Sequence, residues 1–101
     1  MAAPDRRIVR VSPALFEQLD AQLPAERGPD GEPSAADFVV IELPRIVEQF
    51  ATAFDDLPQI VQGLSSSRML IAAGRIVRAY VVYGILTTDG TIELVAISID
   101  R

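Results

Sequence analysis

The chain of 101 residues has no cysteine, no histidine and no lysine, and all nine of its cations are arginine. Without cysteine there are no disulfide frameworks, zinc–thiolate sites or thiol nucleophiles. Without histidine or lysine the chemistry left to the chain is narrow. Cleavage of RNA without a metal needs a base for the 2′-hydroxyl and an acid for the leaving group, both best placed near neutral pKa. Arginine titrates above about 12 and tyrosine near 10, so neither is poised for that work. Arginine still suits bidentate contact with an anion. Long apolar runs are missing too: none approaches the roughly 20 residues that span a bilayer, and "MAAPDRRIVR" lacks the apolar core of a signal peptide. These features predict a cytoplasmic chain with no membrane partner.

Half of the residues are apolar, enough for one domain, residues 1–101, to bury a core without metal or disulfide. The net charge of −5 argues against a nucleic-acid partner held by non-specific phosphate contacts, each of which needs a cation. The charge is uneven along the chain. Residues 11–56 carry ten acids against Arg27 and Arg45, while both ends are mildly basic.

"RRIVRVS" alternates, setting Arg6, Ile8 and Arg10 on one face of a strand and Arg7, Val9 and Val11 on the other. Ser12 and Pro13 then supply an N-cap and a first-turn proline. Leu15, Phe16, Leu19 and Leu23 follow at helical spacing, which predicts a short amphipathic helix. Residues 24–33 concentrate proline, glycine and charge in an exposed loop. Ser34 and Asp37 have the spacing of a capping box, and Val39, Val40, Leu43, Val47, Phe50 and Phe54 mark the apolar stripe of a second helix over residues 35–54. Pro44 predicts a kink or break at Leu43–Pro44. A strand over "FVVIELP" is the competing reading.

The last third reads as sheet: residues 68–73, a turn at Gly74, a long strand over residues 75–86, and a final strand over residues 92–99. Asp89-Gly90 between the last two signals a type I′ hairpin. The expected class is α+β, in the order β-α-α-β-β-β, with two helices on one face of a mainly antiparallel sheet. The other face is then open or only partly covered.

"SRMLIAAGRIVRAYVVYGILTTDGTIELVAISIDR" resembles the three-strand meander of the RelE/ParE toxin superfamily. The similarity rests on Arg68, the turn at Gly74, the aliphatic pair and tyrosine of Val81–Tyr83, the Asp89-Gly90 turn and the apolar strand Ile92–Ile97. It implies a small toxin neutralised by an antitoxin segment that wraps the sheet and helices, with members that cleave mRNA on the ribosome or inhibit DNA gyrase. The chain departs from the ribonuclease pattern in being acidic and in lacking the lysine or histidine used at the scissile phosphate. The resemblance therefore implies an interaction protein of the ParE branch, with a divergent ribonuclease or an accessory domain as alternatives.

Within residues 75–86, alternation places Arg78 and Tyr80 with Ile76, Val82 and Leu86, and Arg75 and Tyr83 with Val77, Val81 and Ile85. Tyr83 is expected under the helices. Arg68, Arg78 and Tyr80 are the candidate contact patch for a protein partner, antitoxin-like or a second copy of the chain. A strand edge would offer further pairing. Adjacent Asp55 and Asp56 point apart on a helix and make no metal site, Gly63 reads as an ordinary turn, and Asp37, Glu42 and Glu48 read as a solvated helix face. No cofactor is expected.

Overall fold

The computed structural model describes residues 6–101. Strand β1 (Val9–Val11) leads into helix α1 (Pro13–Gln22), followed by α2 (Ala35–Ile41), α3 (Leu43–Ala53) and a 3-10 turn at Phe54–Asp56. Strands β2 (Ser67–Ala73), β3 (Ala79–Leu86) and β4 (Ile92–Asp100) complete the chain. The four strands form one mixed sheet in the order β1-β4-β3-β2. β1 runs parallel to β4, and the other two pairings are antiparallel. The α+β class stands, with three helices in place of the expected two.

The helix boundaries follow from local chemistry. The Ser12 side chain accepts from the amide of Ala14 at the start of α1. At α2 the capping box is complete: Ser34 Oγ accepts from the Asp37 amide at 3.1 Å while Asp37 Oδ2 accepts from the Ser34 amide at 3.0 Å. The break between α2 and α3 falls at Glu42, and Pro44 lies in the first turn of α3, where it removes no intrahelical bond. "FVVIELP" is thus helical. The type I′ expectation is corrected: no described non-glycine residue has positive φ, so Asp89 lacks the conformation such a turn requires. Instead the Gly90 amide donates to the Thr87 carbonyl, and within this turn only Gly90 takes a positive φ, +84°.

All three helices lie against one face of the sheet. Leu15, Leu19, Phe38, Ile46, Phe50 and Phe54 meet Tyr80, Val82, Ile92 and Leu94 in one core. Each such large side chain contributes about 1.5–3 kcal/mol when fully buried. A register shift at Tyr83/Gly84 in the β3–β4 pairing lets β4 bury Ile92 and Leu94 before it and Ile97 after it. Gly84 is required by close approach, since a Cβ there would stand 2.5 Å from the Phe50 ring. Two apolar residues of the expected helical stripes stay outside: Phe16 and Val40 are exposed.

The sheet edges are closed to different extents. Where β4 runs beyond β1, Gln18 and Gln22 of α1 take its backbone groups: the Ile97 amide donates to Gln18 Oε1, the Ile99 amide to Gln22 Oε1, and Gln22 Nε2 to the Ile97 carbonyl. At the other edge the segment at residues 58–60 covers the first half of β2, through Ile60 N–H to the Ser67 carbonyl and Met69 N–H to the Pro58 carbonyl. Backbone groups of a strand alternate in direction, so those of Ile71 and Ala73 also point outward. Among the described residues no strand lies beside them. No helix of the described residues is long and apolar enough to cross a membrane.

Candidate functional site: a strand edge, an open face and a cleft

The long strand expected over residues 75–86 begins only at Ala79. Residues 74–78 form a loop, closed by the Gly74 amide donating to the Arg78 carbonyl at 3.3 Å. Its anchor is Glu42, which is fully buried and not on a solvated helix face as expected. Glu42 Oε2 accepts from the amides of Arg75, at 2.6 Å, and Ile76, at 3.0 Å. A Cβ on Gly74 would lie 2.6 Å from that oxygen, so glycine is what lets the loop close on the carboxylate. Glu42 Oε1 is buried and has no partner among the described residues. Spacing could have revealed this residue. Glu42 lies four positions after buried Phe38 and four before buried Ile46, on the inner face of the helical pair.

The three residues expected to form a contact patch do not share a surface. Arg68 is buried: its guanidinium donates to the carbonyls of Ser65, Asp55 and Leu57 at 2.7–2.9 Å and sits 5.5 Å from the Phe54 ring centroid. It fastens the segment after α3 to the sheet, using neutral carbonyls in place of an acid. Tyr80 is only 4% exposed and packs edge-on against Phe38, with ring centroids 5.9 Å apart. The two tyrosines therefore exchange their expected places. Alternation groups Tyr80 with Val82, and Tyr83 with Val81 and Ile85, as observed, but Ile76 and Val77 lie in the loop and Val77 joins the core with Tyr80; the helices cover the Tyr80 side and leave the Tyr83 side open. Arg78 alone is exposed, and it belongs to the loop.

The open face carries an apolar stripe. Cross-strand pairing aligns Met69 with Tyr83 and Ala96, and Ile71 with Val81 and Ser98. Ile71 is 61% exposed and Ile85 41%.

At the margin of the covered face, a cleft of about 200 Å3 lies between α3 and the uncovered half of β2, lined by Arg45, Gln49, Leu70, Ala72, Ala73 and Tyr80. Arg45 and Gln49 stand one turn apart on α3. The Tyr80 hydroxyl titrates above its ordinary value, first because it is buried and then because Glu42 is near, while Arg45 pulls the other way. A larger cleft of about 280 Å3 between α2 and the loop before it contains Arg27 and Asp37, which already bond each other at 2.9 Å. No group of acids or other ligating side chains among the described residues is arranged to hold a metal ion.

No family model, curated protein or solved structure matches the chain.

Proposed function

We propose that this chain is a protein-interaction module, a toxin–antitoxin-like protein of the ParE kind, that binds a protein partner through the open face of its sheet and the adjoining β2 edge. The observation that carries the reading is the apolar stripe of Met69, Ile71, Val81, Tyr83 and Ile85 on a sheet face that no described element covers. Such a stripe costs solubility unless another surface meets it. The free backbone groups of Ile71 continue it at the edge, where a partner strand would gain main-chain hydrogen bonds.

Binding is favoured over RNA cleavage because Tyr80, the tyrosine beside an arginine in the cleft, is moved further from neutrality by burial and by Glu42. Arg68, committed to three carbonyls, contributes by holding the sheet margin in place, and the contact patch narrows to Arg78 with the open-face residues.

The test is expression in a bacterial host without any neighbouring gene. Wild-type protein slows growth, and the double variant Ile71→Asp, Ile85→Asp, folded by circular dichroism, restores it. A photo-crosslinker at position 71 then captures the partner. Normal growth of the wild-type strain, with no crosslinked species, sinks the reading.

A further inference from the structure

We infer that the cleft between α3 and β2 is a carboxylate-binding site, filled by an acidic side chain of an extended partner segment that pairs with Ile71 and Ala73 as a fifth strand. The inference rests on the interaction-module reading and gives the partner its chemistry.

Two side chains line the cleft without partners among the described residues. Arg45 belongs to none of the three ion pairs among the described residues, which join Arg6 to Glu48, Arg7 to Asp55 and Arg27 to Asp37. Its position does not serve the helix: it lies in the first turn of α3, where the dipole is positive, and that turn holds no acid. Tyr80 is more than nine-tenths buried, yet it lines the cleft and its hydroxyl bonds no described residue. Ala73, whose outward backbone is left to the partner strand, lines the same cleft. A guanidinium and a hydroxyl on one concavity are donors suited to a carboxylate.

The exposed charge at this corner is positive, with the Glu42 carboxylate buried behind it. Arg75 and Arg78 are exposed on the loop that Glu42 ties to the start of α3, and neither is ion-paired among the described residues. Arg45 in the cleft and two arginines on the loop that follows Ala73 are thus without ion pairs among the described residues, in a protein of net charge −5. The edge itself lacks the cover found elsewhere, where Gln18 and Gln22 occupy the far end of β4 and residues 58–60 occupy the first half of β2. An acidic strand satisfies the edge and the arginines together. The small floor residues Ala72 and Ala73 leave room for a side chain to turn inward.

The probe is a capped six-residue peptide of alternating threonine and glutamate, titrated into 15N-labelled full-length chain, with its threonine–glutamine twin and sodium acetate as comparison ligands. The acidic peptide shifts the amides of Ile71 and Ala73 and the Arg45 Nε–H signal. Replacing glutamate by glutamine, or Arg45→Gln, weakens binding by about tenfold, the size of one charge-assisted hydrogen bond. Tyr80→Phe, which keeps the buried ring, weakens it by about threefold to tenfold, in the range for a neutral hydrogen bond. Equal binding of the glutamine twin, or no response to the acidic peptide, overturns the proposal. So does a response of Arg45 to acetate with Ile71 and Ala73 unmoved by peptide, which marks a site for small carboxylates only. Failure here while the crosslinker at position 71 captures a partner rejects the acidic strand and leaves the interaction module standing; failure of both rejects the module.

Discussion

Tyr80 and Tyr83 stand three residues apart on one strand, on opposite faces of one sheet. The first is wedged against Phe38 under the helices, and the second lies in an apolar stripe open to solvent. On the covered side Val82, Leu94 and Ile97 have their area removed from water by α1, α2 and α3, so these residues hold the fold together. On the open side Ile71 and Ile85 retain much of their exposure and contribute little to folding. Apolar surface that does not stabilise the chain is available to stabilise a complex. The arginines divide the same way: Arg68 is spent on internal carbonyls, while Arg45, Arg75 and Arg78 remain free of ion pairs among the described residues.

The contrast between faces is broken most directly by truncation. Phe50→Ala opens a cavity against Gly84 and costs about 3–5 kcal/mol, whereas Ile85→Ala on the opposite face of the same strand costs less than about 1 kcal/mol. Denaturant midpoints of the two variants measure the difference. Equal losses would mean that the open face supports the fold after all.

A smaller effect separates the arginines. Arg68→Met keeps the apolar stem but strands the carbonyls of Ser65, Asp55 and Leu57, at a cost of about 1–3 kcal/mol, while Arg78→Met stays within about 0.5 kcal/mol of wild type. Thermal unfolding of the pair gives the comparison, and hydrogen exchange shows whether residues 55–65 loosen first in Arg68→Met.

The smallest effect is one of pH. Asp37 is held at about 2, below its ordinary 3.8, chiefly by the Arg27 guanidinium and then by the Ser34 amide. A carboxylate with a depressed folded-state pKa contributes stability that is present above its ordinary value and lost as pH falls through the depressed one. Wild-type stability therefore declines across that window more steeply than that of Asp37→Asn, which lacks the titrating group. Urea titrations at pH values of about 6 and about 2.5 check the slope. Parallel declines would remove Asp37 from the account.

Much of this was legible locally. Ser12, Pro13, Ser34 and Asp37 act at the helix starts where their spacing placed them, because caps and first-turn prolines involve neighbours within four residues. Pro44 likewise marked the helix break to within two residues. The candidate site was much less legible. Arg68 reads as a surface cation until the chain folds back and presents three carbonyls to it. Glu42 and Arg45 belong to the site through contacts with residues about thirty positions away, which leave no mark on local spacing.

The sequence by itself determined which residues share a face, through period-two alternation in β3 and near-four spacing in α1 and α3. Only the tertiary structure decided which of the two faces the helices cover. Alternation sorts a strand into two sets and assigns neither to the core. That assignment came from packing, where Gly84 on the Tyr80 side admits the Phe50 ring and brings the helices down on that face.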